Sequence, residues 1–169
     1  PAPPSPSPPP LPVAYPADLN AWYCPGAFDL ASGTWQDCSG SGNTAALSGS
    51  GLAEWRSAGH GATKQVLALS GTTSSVISFG PVIKSAFTVC SVTRYTGAGK
   101  GRILTGGPKN WLHGHWGGHA GVAYYVGWKT RWQDYVSPDT DWVVMCGTNA
   151  GSQLKLVNGA DVGTSTGGH

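Results

Sequence analysis

Within the nineteen residues NWLHGHWGGHAGVAYYVGW, positions 110 to 128, stand three histidines, three tryptophans, two tyrosines and five glycines. His113 and His115 are two apart, and on a β-strand that spacing puts both imidazoles on one face about 6.6 Å apart, an arrangement that metal sites use. His119 shares their parity, although Gly117-Gly118 is expected to break the strand before it. Asp139 and Asp141, in SPDTDW, place two carboxylates in a loop, which suits calcium; the competing expectation is that they polarise a turn.

The same stretch offers a second chemistry. Trp111, Trp116, Tyr124, Tyr125, Trp128 and Trp132 carry ring faces on which the C–H face of a pyranose stacks, while His, Asn and Asp edges bond its hydroxyls. Such faces also receive proline rings, because a polyproline II rod is already stiff and docks on grooves lined by aromatics. Burial competes with both, since large rings in a sheet protein are more often core and strand alternation sends roughly half of them inside.

Catalysis is poorly provided for. Glycoside hydrolysis needs two carboxylates about 5 to 10 Å apart, yet the chain has one glutamate, Glu54 in LAEWRS, and a glycosidase would have to recruit Asp134, Asp139 or Asp141. The expectation is a non-enzymatic chain with no catalytic residue and no cofactor apart from calcium.

The elements that must position these residues read as short strands. QVLALS (65–70), SVISFG (75–80), SAFTVCSVTRY (85–95), GRILTG (101–106), GVAYYVGW (121–128), DWVVMCG (141–147) and SQLKLVNGADVG (152–163) are rich in Val, Ile, Leu, Thr and aromatics, with Gly, Pro, Asn or Asp between them. Helical periodicity is nearly absent. Turns about every ten residues predict an all-β, antiparallel two-sheet sandwich or jelly roll. The sharpest local signal is LKLVNGADV, where Leu154 and Leu156 alternate with Lys155 and Asn158-Gly159 suits the positive φ angles of a type I′ hairpin.

The first sixteen residues, PAPPSPSPPPLPVAYP, hold nine of the thirteen prolines. Proline fixes φ and removes amide donors, so this segment is expected to be an extended polyproline II tail or linker, with the sandwich domain spanning 17–169. The chain opens on proline without an initiator Met or an apolar leader, as expected of a mature or excised piece. Charged residues are 11% of the chain, the formal net charge is +2 and the basic residues are scattered, which argues against nucleic acid. No run approaches the roughly 20 apolar residues that span a bilayer, which argues against membrane insertion.

Cys24, Cys38, Cys90 and Cys146 are even in number and contain no Cys-x-x-Cys pair, so two disulfides and an oxidising compartment are expected. Of three connectivities, the favoured one closes a short loop between Cys24 and Cys38 and links two strands through Cys90 and Cys146; four buried thiols in a cytosolic protein is the alternative.

Three resemblances add to this reading. SPSPPP resembles the hydroxyproline-rich glycoproteins of plant and algal walls, the extensins and pherophorins, and the resemblance implies hydroxylation or O-glycans on Pro3, Pro4, Ser5, Pro6, Ser7, Pro8, Pro9 and Pro10; an unmodified spacer is the alternative. From about Leu47 to Val162, the order LALSG, SVISFG, AFTVCSVTRY, GRILTGG, DTDWVVMCGT, LKLVNGADVG is similar to laminin G-like modules of the concanavalin A-like superfamily, which implies two packed antiparallel sheets, one concave. The laminarinase-type enzymes of that superfamily carry Glu-x-Asp-x-x-Glu, a pattern missing here. Gly107, His113-x-His115 and His119 are similar to the first metal motif of cupins, with His119 where a glutamate is usual and no second motif.

Together these give a secreted subunit of an extracellular matrix, cell wall or surface filament. Its expected partners are copies of itself through head-to-tail docking of the tail, covalent O-glycans and polysaccharide. A carbohydrate-binding lectin module is the first alternative and a metal-dependent cupin-like enzyme the second.

Overall fold

The computed structural model describes residues 17–168. The proposed tail, including Pro3 to Pro10, lies outside the described residues. Every regular element described is a β-strand, and every pairing between them is antiparallel. The described residues divide into two compact units, 17–55 with Leu67–Val82 and Arg56–Val66 with 83–168.

The first unit is built on β1 (Tyr23–Asp29), β2 (Thr34–Asp37), β3 (Ala45–Gly49) and β6 (Ser75–Ser78), in the sheet order β1-β2-β3-β6. β1 turns into β2 where Asp29 Oδ1 accepts from the backbone N–H of Ala31 at 2.9 Å, an Asx-type turn. Its apolar centre is small: Tyr23 packs on Trp35 and Phe79 at 5.7 and 4.8 Å between centroids, and Phe28 meets Trp35 edge-on at 5.8 Å. The Cys24–Cys38 disulfide ties β1 to the end of β2. Beside it the Asp37 carboxylate accepts from the backbone N–H of Trp22, Ser39 and Asn43 and from the Ser39 hydroxyl. Desolvation pushes that carboxyl up, and the four hydrogen bonds together override it and hold it at about 2.

A hairpin of β4 (Ala53–Gly59) and β5 (Ala62–Ser70) lies between β3 and β6 in sequence. Its turn is His60-Gly61, both at positive φ, 55° and 80°, as a type I′ turn requires.

The second unit has two sheets. One is β10-β9-β8, from β8 (Leu104–Thr105), β9 (Trp111–Trp116) and β10 (His119–Tyr125). The other is β13-β12-β11-β7, from β7 (Thr88–Thr93), β11 (Val143–Thr148), β12 (Lys155–Val157) and β13 (Ala160–Asp161). Each gives one face to a common core of Phe87, Trp111, Ala120, Ala123, Tyr125, Val143, Met145 and Val157. Alternation is plain along β11, where Val143 and Met145 are fully buried and Val144 between them is 48% exposed. Cys146 and Cys90 stand directly opposite each other in the β11–β7 register and are disulfide-bonded.

The Asn158-Gly159 turn is present, with φ of 48° and 89°, and joins β12 to β13. Its strand parity sends Lys155 and Val157 inward and leaves Leu154 exposed. The ammonium of Lys155 is received by the Gln153 carbonyl at 3.1 Å and lies 5.7 Å from the Tyr125 ring centroid. Gly147 makes room for its stem, since a Cβ there would sit 2.9 Å from Lys155 Cδ.

Both expected disulfides are present and there is no free cysteine, which marks an oxidising environment. Among the described residues no helix is long and apolar enough to cross a membrane.

Candidate functional site

The aromatic and histidine-rich stretch forms one hairpin. β9 and β10 pair from Trp111↔Tyr125 to Trp116↔His119, and Gly117-Gly118 at φ 60° and 88° closes the two-residue turn. A register shift falls between Ala120 and Val122, where Gly121 at φ 94° is the residue left over. That bulge brings Ala120, Ala123 and Tyr125 opposite His115, His113 and Trp111.

Trp111, His113 and Tyr125 are stacked with interplanar angles of 15–20°. His113 Nε2 lies 3.2 Å from the Met145 carbonyl, which only accepts, so Nε2 carries the proton and Nδ1 accepts from the Tyr125 hydroxyl at 2.7 Å. Burial pushes the His113 imidazole down to about 4, and the Lys155 charge adds to this against the opposing Met145 bond. His115 is also lowered to about 4, again first by burial, with Asp139 opposing. Its Nδ1 is 3.2 Å from Thr93 Oγ1 and its ring meets Tyr95 edge-on at 4.7 Å. Trp111 and Tyr125, expected as docking residues, are core residues at 6% and 0% exposure, because their parity faces β11 and β12.

The expected metal ligands are not assembled. Both ring nitrogens of His113 are engaged, His119 bonds Asp134, Asp139 pairs with Lys100 at 2.7 Å and Asp141 lies 3.8 Å from His60. Among the described residues no group of three or more His, Cys, Asp or Glu is placed to hold a metal ion.

The turn end of the hairpin is different. After β10 the chain reverses at Val126 (φ 50°) and runs back along β10, with hydrogen bonds from Lys129 N to Ala123 O, from Ala123 N to Thr130 Oγ1 and from Tyr135 N to Ala120 O. The Ser165 hydroxyl donates to Trp128 O, and the Lys129 ammonium to Thr166 O, which anchors this return. The return brings Trp128 and Trp132 to Trp116. Trp116 and Trp128 stack at 6.0 Å, and Trp132 meets them at 5.0 and 5.1 Å, tilted by 64° and 60°. Tyr124 abuts Trp128 edge-on at 5.3 Å, and the Arg102 guanidinium lies 4.9 Å from the Trp116 centroid. Trp132 rests so closely on Gly117 that a Cβ there would be 2.8 Å from its ring. Trp116 and Trp132 remain 36% and 46% exposed, and Tyr124 and Trp128 are half-buried.

Four of the six expected docking residues therefore meet at one surface cluster, and two are core. His119 belongs beside the cluster, where it touches Trp132 at 4.3 Å. Arg102 was not foreseen, since nothing local links it to Trp116; Asp134 was foreseen only as a carboxylate, though its neighbours in RWQD hint at a polar surface turn. No protein-family model matches the chain, and no curated protein or solved structure is found to be similar to it.

Proposed function

We propose that this chain is a non-enzymatic structural glycoprotein of an extracellular matrix, wall or surface filament, a laminin G-like jelly roll preceded by a polyproline II rod. Copies assemble head to tail, with residues 1–12 of one chain docking on the aromatic cluster of the next. The observation that carries this reading is the run of contacts Arg102–Trp116–Trp128–Tyr124, which leaves aromatic surface exposed on a disulfide-bonded chain. Proline rings pack on such surfaces, and a stiff rod loses little entropy in doing so.

Sixteen residues precede the described chain, nine of them proline, so the occupant is supplied by the molecule itself. Tail to surface is a heterologous contact, and heterologous contacts that do not close into rings propagate as filaments. O-glycans on the tail would keep it extended and shield it from proteases.

Electron microscopy of the native full chain, with intact mass on the same sample, tests this. Filaments with a mass per chain well above 17.4 kDa are expected. Deletion of residues 1–12, or Trp116→Ala with Trp128→Ala, is expected to abolish them. A chain that stays strictly monomeric at high concentration, or filaments indifferent to both changes, overturns the reading.

A further inference from the structure

The Trp132 corner of the cluster carries polar chemistry that a proline rod does not use. Arg131, Trp132, Gln133 and Asp134 are four consecutive exposed residues. The His119 ring meets the Trp132 indole edge-on at 4.3 Å, and its Nδ1 lies 3.1 Å from Asp134 Oδ1. The backbone N–H of Ala120 donates to that same oxygen at 3.4 Å. One oxygen of the carboxylate is thus tied to β10 by two donors, which orients the group beside the indole while half of the side chain (50%) stays open to solvent.

Donor logic settles what remains on offer. Asp134 Oδ1 only accepts, so His119 Nδ1 carries the proton, and Nε2 is the ring atom left for a sugar hydroxyl, which can both donate and accept. The second carboxylate oxygen is an acceptor. A part-exposed indole beside an oriented carboxylate and imidazole is complementary to an apolar face bordered by hydroxyls, and preorganisation lowers the cost of binding.

We propose that this corner binds a neutral pyranose unit of an extracellular polysaccharide. The sugar's C–H face lies on Trp132, one of two adjacent hydroxyls donates to Asp134, and the other hydrogen-bonds to His119 Nε2. A carboxylate at the contact disfavours uronic acids and sulfated sugars through like-charge repulsion. The inference rests on the cluster being a binding surface but not on tail docking, because neither Asp134 nor His119 belongs to the Arg102–Trp116–Trp128–Tyr124 run.

The test is a titration of the full chain with neutral oligosaccharides (β-glucan, mannan, galactan) and with uronic-acid and sulfated counterparts, observing the tryptophan indole N–H resonances. The expected result is a saturable shift of Trp132 with at least one neutral oligosaccharide, at roughly millimolar affinity for so open a site. Asp134→Asn, which keeps the side chain's size, is expected to weaken binding about tenfold. Trp132→Ala is expected to abolish it, read on Trp116 and Trp128, with unfolding midpoints of both variants near that of the parent.

No shift with any neutral sugar, binding that survives both substitutions, or binding of acidic sugars alone overturns the proposal. Microscopy on the same samples separates the two readings. Filaments without sugar binding defeat this proposal alone, and sugar binding without filaments defeats only the tail-docking one.

Discussion

The two ends of the β9–β10 hairpin are made from the same residue types and do opposite things. At the open end, Trp111, His113 and Tyr125 lie nearly parallel under β11 and β12, buried, with each imidazole nitrogen of His113 bonded. At the turn end, Trp116, Trp128 and Trp132 touch one another and their remaining surface meets water. The contrast teaches that aromatic content does not assign a role: the first set is spent on stability, and only the second has surface left for a ligand.

The sharpest way to break this contrast is to remove a ring from the buried set. Trp111→Ala is expected to cost about 3–5 kcal/mol, a cavity that the surrounding strands cannot close, measured by denaturant unfolding of the parent and variant. An equal cost for truncation at the exposed end would erase the distinction. Next in size is the bulge that sets which residues face inward. Gly121→Ala places a Cβ 2.9 Å from Tyr135 Cβ at a backbone φ of 94°, and a loss of roughly 2 kcal/mol is expected in the same measurement.

The third effect is a matter of pH. His113 and His115 are lowered to about 4, so below the unfolded value near 6.5 the unfolded chain binds protons that the folded chain refuses. Their contribution is therefore complete above about pH 6.5 and is lost as the pH falls toward 4. Over that window each histidine contributes a slope of about 1 kcal/mol per pH unit. His113→Gln is expected to remove one such slope from the stability–pH profile, and an unchanged profile would show that His113 binds protons equally in the folded and unfolded chain.

Much of the fold was legible locally. The strands at QVLALS, SVISFG and DWVVMCG and the Asn158-Gly159 turn follow from short-range patterns, and all are present, as is the favoured one of three disulfide connectivities, Cys24 with Cys38 and Cys90 with Cys146. β1 and β2 were missed because Tyr23–Asp37 mixes prolyl, glycyl and acidic residues with few β-branched ones. GRILTG shrinks to Leu104–Thr105, since only those two residues find a partner, on β9. The candidate site was legible as a set of rings and illegible as an arrangement. Arg102 reaches Trp116 from fourteen positions earlier in the chain, and Trp132 reaches Gly117 only because the segment after β10 turns back.

What the sequence by itself determined is the strand class, the turn positions and the fact that neighbours such as Tyr124 and Tyr125 point to opposite faces. These depend on backbone preferences and a period of two, which act over a few residues. Which face became the interior was decided by the tertiary structure. It sent Tyr125 in and left Tyr124 half-buried, and it buried Lys155 while exposing Leu154. Inside and outside exist only once one sheet meets another, and a single residue of register at Gly121 is enough to exchange them.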